Sequence, residues 1–214
     1  EVLQSQYVEW LDRCIVLGQK EKERLASCPE LLKNAEEQLE KIVQTRKDFV
    51  EKYECNLLKQ FAGFAKRGRI EILASCGTHA FLPHYADMPE VLNAQVETGI
   101  MSHRHFFGRA PDGFWLPYMG YVKGIERTLR SYGINYTVLD THGILFSENA
   151  PKTGIFVPDR CWNSLVVFGR DGEASQKING CEGFSSNPVY KNQEKDIGFE
   201  LEESELEGFL QPDW

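Results

Sequence analysis

The chain has 214 residues, of which 42 % are apolar and 26 % charged, and a formal net charge of −8. That length can bury a real core, and the composition is that of an ordinary globular protein. No run approaches the roughly 18 apolar residues of a membrane span, no signal-peptide pattern opens the chain, and no basic stripe suited to nucleic acid is present.

The charge is unevenly placed. Residues 1–69 carry 13 basic and 12 acidic groups, residues 70–170 carry 8 and 9, and residues 171–214 carry 3 and 11. The acidic excess therefore belongs to the last segment, which reads as a solvated surface. Cysteines at 14, 28, 55, 76, 161 and 181 form no C-x-x-C pair. Spacing this wide argues against a disulfide framework or a zinc site, so reduced thiols in a cytoplasmic protein are expected.

Residues 5–67 read as helical. Tyr7, Trp10, Leu11, Cys14 and Ile15 recur at the spacing of one helical face. Pro29 suits the first turn of a second helix, whose stripe runs through Leu32, Ala35, Leu39, Ile42, Val43, Phe49, Val50 and Tyr53. Asn56 is a cap candidate for a third helix, with Leu57, Leu58, Phe61, Phe64 and Ala65 expected inward and Gly68 placed to end it.

The pattern then changes to short apolar runs. Strands are expected at Ile70–Ala74, Gly113–Leu116, Tyr136–Leu139 and Leu165–Phe168, with helices at Pro89–Glu97 and Gly124–Tyr132, the latter closed by Gly133. Such alternation predicts an α/β fold with a parallel sheet. Three regions result: a helical region over 1–69, a parallel β/α segment over 70–170, and an acidic C-terminal segment over 171–214 of the same domain.

Polar residues cluster just beyond those strands: Cys76-Gly77-Thr78-His79, Pro117-Tyr118, Asp140-Thr141-His142 and Gly169-Arg170-Asp171. In parallel α/β architectures the strand carboxyl ends face the ligand crevice. All five histidines fall between residues 79 and 142. One reading is a metal site built from His103-x-His105 and Asp140-x-His142. The other is a polar cleft for sugar hydroxyls. His84, His103 and His105 read more simply as surface or backbone-satisfying residues, with the H-x-H pair on a loop, whereas His79 and His142 lie beyond strand ends.

Several of these stretches resemble glycoside hydrolase family 57, especially its glucan branching-enzyme and 4-α-glucanotransferase branch. Phe114-Trp115-Leu116-Pro117-Tyr118-Met119-Gly120-Tyr121 resembles that family's W-L-P-E-C-A-Y strand, whose glutamate attacks the anomeric carbon. Glu71 to Pro83 resembles E-I-I-T-C-A-A-T-H-G-F-L-P, and Arg104 to Pro111 resembles R-H-F-G-R-x-P. Asp140 to Leu145 and Val167 to Asp171 also fall into line. The resemblance implies an incomplete or distorted (β/α)7 barrel with the N-terminal helical region packed on it. It implies a sugar site containing His79, Trp115, Tyr118, Asp140, His142 and Arg170, an α-glucan or maltooligosaccharide partner, and no cofactor or metal.

The departures carry as much weight. Retaining glycosidases need two carboxyl groups about 5 Å apart. Tyr118 holds the place of the first, so no catalytic residue is assigned there. The family's acid/base aspartate, in a D-x-E-x-F-G-H-W segment, and its opening strand are not found in these 214 residues, and Asn179 stands where R-Q-V-W-S has tryptophan. A tyrosine can act as nucleophile, but a phenol with an ordinary pKa near 10 needs a neighbouring base. Glu126, in the following helix, is expected to face solvent or a neighbouring cation. The expectation is a catalytically incomplete protein that binds carbohydrate or regulates. The alternatives are a segment of an active branching enzyme or 4-α-glucanotransferase, and a metal-dependent polysaccharide deacetylase-like enzyme. A barrel lacking its first strand would leave an open sheet edge, so self-association into a homo-oligomer is also expected.

Overall fold

The helical periodicity at the start of the chain is realised as two long helices, α1 (Val2–Arg24) and α2 (Pro29–Lys47). Pro29 sits at the first turn of α2, where its missing N–H costs nothing. Arg46 pairs with Asp12 and Lys22 with Glu36, so the helices run antiparallel. Gly18 faces Leu39 so closely that a Cβ there would lie 3.0 Å from it. A π-helical turn, Asp48–Lys52, follows α2 and buries Phe49, against which the Tyr7 ring stands edge-on at 4.9 Å.

The computed structural model describes residues 2–190, 192, 197–206 and 209, and the chain forms two units. The first stretch of the helical unit runs to Lys66 and the second unit begins at Arg67. The acidic segment expected as one piece over 171–214 is divided. The described residues 171–190 and 192 group with the sheet, and the described residues 197–206 group with the helices. There, α8 (Ile197–Glu200) is tied to α1 by the Arg24–Glu200 pair at 2.8 Å, and α9 (Glu203–Leu206) buries Leu206.

α3 (Leu57–Lys66) starts as expected, with the Asn56 side chain accepting from the Lys59 N–H at 3.0 Å, and Gly68 follows it at φ +65°. Its apolar stripe corrects the expectation. Leu57, Leu58, Phe61 and Phe64 are exposed rather than inward. Periodicity identifies a face but not the neighbour that covers it.

In the second unit five strands form one sheet among the described residues. They are β1 (Ala74–Ser75), β2 (Gly113–Trp115), β3 (Tyr136–Asp140), β4 (Asp159–Arg160) and β5 (Val166–Arg170), in the order β1-β2-β3-β5-β4. The β1-β2, β2-β3 and β3-β5 pairs are parallel, as the βα alternation predicts, and β4 is an antiparallel edge. The first strand is shorter than expected, because the Ile72 carbonyl is taken by the His103 ring instead of a neighbouring strand. Both edges of the sheet are two-residue strands, which offer little template for pairing with another chain.

The intervening helices are α4 (Pro89–Phe107), α5 (Ile125–Ser131), α6 (Thr141–Leu145) and α7 (Gly172–Asn179). α4 runs ten residues past its expected end because Val96, Ile100 and His103 continue one buried stripe, and it stops at left-handed Gly108. His103 and His105 are therefore helical, not on a loop. Alternate strand residues Ala74, Phe114, Leu116, Thr137, Leu139, Leu165 and Val167 form a core with Leu92, Val96 and Ile100 of α4 and Ile125 and Leu129 of α5. The strand residues of opposite parity, including Trp115, Asp140 and Arg170, lie on the other face of the sheet.

Candidate functional site

Beyond β2 the chain leaves Leu116 in extended geometry and makes one tight turn over Pro117–Met119. Tyr118 and Met119 both lie in the left-handed region, at φ 55° and 54°. For residues with a Cβ that conformation costs about 1–2 kcal/mol each. The turn keeps two hydrogen bonds, Met119 N–H to Leu116 O at 2.8 Å and Gly120 N–H to Pro117 O at 3.0 Å. Its consequence is that Tyr118 projects outward and is 70 % exposed, whereas Pro117 and Leu116 are buried.

The loop after β1 meets it. His79 is also left-handed, at φ 55°, and its ring stands edge-on to Tyr118 with centroids 5.4 Å apart. Phe81 approaches the same phenol at 6.2 Å. Gly120 packs so tightly on Phe81 that a Cβ there would fall 2.5 Å from the ring. The His79 loop is tied to α4 by Gly77 N–H to Gln95 O at 2.9 Å and by the Thr78 N–H and hydroxyl, both donating to Gln95 Oε1. Among the described residues, no carboxylate bonds the Tyr118 hydroxyl.

A second group forms at the ends of β3 and β5. Asp140 and Arg170 are register partners, and the Arg170 guanidinium donates to the Asp140 carboxylate. The other carboxylate oxygen accepts from Thr141 N–H at 2.7 Å and lies 3.8 Å from His142 Nδ1. Asp140, His142 and Arg170 open onto a groove of about 930 Å³ whose far wall is α7 and the residues that follow it, including Glu173, Lys177 and Asn179. Trp115 is half-buried on the same face of the sheet as Asp140 and Arg170. The structure thus brings His79 to Tyr118, and Asp140 and His142 to Arg170. No hydrogen bond or ring contact joins the two groups among the described residues.

The remaining histidines separate from the site. His103 is buried, with Nδ1 3.1 Å from Arg109 O and Nε2 3.0 Å from Ile72 O. His105 is exposed on α4, and His84 stacks edge-on with Phe81. Among the described residues no three His, Cys, Asp or Glu side chains are placed to hold a metal ion, so the ligand set expected of a deacetylase-like centre does not assemble there. The six cysteines are free, and burial pushes the Cys76 thiol up to about 11, which keeps it protonated near neutral pH.

Glu126 corrects a second expectation. It is 5 % exposed rather than solvent-facing. Its Oε2 accepts from Tyr121 OH at 2.8 Å and Gly124 N–H at 2.9 Å, and its Oε1 accepts from Trp162 Nε1 at 3.4 Å. Burial works to raise this carboxyl's pKa, but the hydrogen bonds from Tyr121, Gly124 and Trp162 outweigh it and hold the group below its ordinary value. Burial and the Glu126 carboxylate together push the Tyr121 phenol well above its usual range. The sequence offered one clue, an acidic residue in a first helical turn where N–H groups are free. Nothing local foretold Trp162.

The sign of this shift yields a prediction. A carboxyl depressed in the folded state contributes stability above its unfolded pKa of 4.5 and loses it as pH falls through the lower folded value. Thermal unfolding of wild type and Glu126→Gln should therefore differ by a constant amount well above pH 4.5 and draw together as the pH falls from about 4.5 through the lower folded value. A difference that stays constant down to pH 3 would show that the carboxylate is not held this way.

A family model described as glycosyl hydrolase family 57 matches residues 4–191. The chain belongs to glycosyl hydrolase family 57. Among solved structures, this family 57 chain is similar to the α-amylase AmyC of Thermotoga maritima, with 30 % identity and a TM-score of 0.85 over 98 % of this chain and 41 % of that one. It shares its fold with the branching enzyme of Pyrococcus horikoshii, with 24 % identity and a TM-score of 0.80 over 92 % and 39 %. A curated relative, the 1,4-α-glucan branching enzyme TK1436 of Thermococcus kodakarensis, is 28 % identical over 105 residues, 42 % of this chain and 15 % of that enzyme. The chain spans less than half the length of each of these relatives. The incomplete (β/α)7-type barrel expected for residues 70–170 accords with these likenesses. No helix among the described residues is long and apolar enough to cross a membrane.

Proposed function

We propose that this chain binds α-glucan oligosaccharides along the carboxyl ends of β1, β2, β3 and β5 and does not itself cleave them. One observation carries the reading: the side chain projecting from the strand that resembles W-L-P-E-C-A-Y is the exposed phenol of Tyr118, beside His79. A retaining mechanism needs a carboxylate at that place. A phenol in its stead can stack on a pyranose ring and exchange a hydrogen bond with a hydroxyl, but among the described residues no side chain accepts a hydrogen bond from it to make it an attacking group. Asp140, Arg170 and His142 supply the polar wall, with charged donors and acceptors suited to vicinal hydroxyls.

Calorimetric titration with maltooligosaccharides of increasing length tests the reading. Binding should strengthen with length and be accompanied by no release of reducing ends. Arg170→Ala should weaken it roughly tenfold or more, the worth of a hydrogen bond to a charged group. Silence across the whole series would remove the proposal.

A second reading is favoured by the likeness to part of a solved α-amylase. The chain then serves as a segment of a working family 57 enzyme. Release of reducing ends from maltooligosaccharides, redistribution of their chain lengths or formation of α-1,6 branches by the full-length wild-type protein decides for this reading, and the absence of all three alongside measurable binding decides for the first.

A further inference from the structure

We infer that Glu126 is a positioning residue that holds Tyr118 in its site-facing conformation, acting through Tyr121. The turn that presents Tyr118 contains two consecutive left-handed residues and only two internal hydrogen bonds, and such backbone persists where its surroundings over-determine it. Its upstream end is secured by β2, paired on both sides by β1 and β3. Its downstream end has no strand. Beside the packing of Gly120 on Phe81, what holds it is the Glu126 carboxylate, which collects the Tyr121 hydroxyl three residues beyond Tyr118 and the Gly124 N–H from the same segment.

Glu126 is itself immobilised from the opposite side by the turn between β4 and β5. Trp162 Nε1 donates to its free carboxylate oxygen, and Asn163 Nδ2 donates to its carbonyl at 2.7 Å. The Arg127 guanidinium lies 5.2 Å over the Trp162 ring and closes this side. A buried acceptor that receives three donors from two separate segments cannot shift without leaving at least one of them unpaired. The node thus ties the segment that follows Tyr118 to the turn that leads into β5.

The position of Tyr118 stands apart from any ligand, whereas the effect on affinity rests on the glucan-binding reading above. Two readouts therefore keep the outcomes distinguishable. The first is the nuclear Overhauser effect between the Tyr118 and His79 rings in protein with labelled aromatic residues, measured well below the unfolding temperature. The second is the maltooligosaccharide Kd. Glu126→Ala should abolish the ring–ring signal and weaken binding about tenfold. Glu126→Gln keeps an oxygen for Tyr121 and Gly124 and forfeits only Trp162, so it should restore the signal and most of the affinity. Tyr121→Phe removes the Glu126 contact nearest the turn and leaves the Gly124 N–H in place, so it should weaken both readouts in part even if Glu126→Ala fails to fold. Lowered thermal stability with an unchanged ring–ring signal in Tyr121→Phe or in folded Glu126→Ala would reduce Glu126 to a structural role and overturn the inference. Absence of binding by wild type would overturn the glucan reading alone, with the ring–ring signal still deciding the role of Glu126.

Discussion

Tyr118→Glu in the full-length protein should release reducing ends from maltooligosaccharides at a rate on the order of a hundredfold above wild type, which should show background only. The turn already presents residue 118 to solvent beside His79, so a glutamate enters a geometry that exists and supplies the attacking one of the two carboxyl groups a retaining mechanism needs. The substitution gives up the edge-on contacts with His79 and Phe81, worth about 0.5–1.5 kcal/mol, which the fold should tolerate. Tyr118→Phe provides the opposing control. It keeps the ring and removes the oxygen, so it should leave the wild-type background unchanged. Loss of a real wild-type turnover in Tyr118→Phe would make the phenol a nucleophile. A folded, glucan-binding Tyr118→Glu protein with no turnover even of an α-maltosyl fluoride, whose leaving group needs no acid catalyst, would count against the assignment of residue 118 to the attacking position.

The largest effect on stability is expected at Gly99. A Cβ there would lie 1.7 Å from the Ser75 carbonyl oxygen and 2.9 Å from its carbon, and neither atom can rotate away. Gly99→Ala must push α4 off β1, the strand from which the His79 loop departs. Overpacking against main chain of this kind should cost about 3 kcal/mol or more, roughly 6–12 °C in Tm for a chain of this size. Gly108→Ala separates sterics from conformation. Gly108 has φ +68° with nothing within 4 Å of a Cβ, so it should cost only the left-handed penalty of about 1–2 kcal/mol. Differential scanning calorimetry of the two variants measures the contrast, and equal melting would mean that α4 and β1 do not approach so closely.

These two glycines show how sequence and structure divide the information. The helix expected over Pro89–Glu97 stops short of both, yet Gly99 sits inside a longer helix that lies against a strand and Gly108 ends it. His103 follows the same logic. As part of an H-x-H pair it suggests a ligand, yet its seventh position after Val96 on a buried stripe directs both ring nitrogens to carbonyls of its own unit.

The residues alone determined the family, through ordered motifs from Glu71 to Asp171. They determined the parallel βα alternation, through runs of matching period, and the identity of the side chain at 118. Those features are local, and local chemistry writes them in short windows. Tertiary structure alone decided that Glu126 is a buried node, that the face of α3 is exposed, and that His79, Tyr118 and Met119 share left-handed backbone. Each depends on groups distant in the chain: Trp162 lies 36 residues from Glu126, and Tyr118 lies 39 from His79. Periodicity specifies which face a residue occupies, and only the folded chain specifies which donors and rings arrive to meet it.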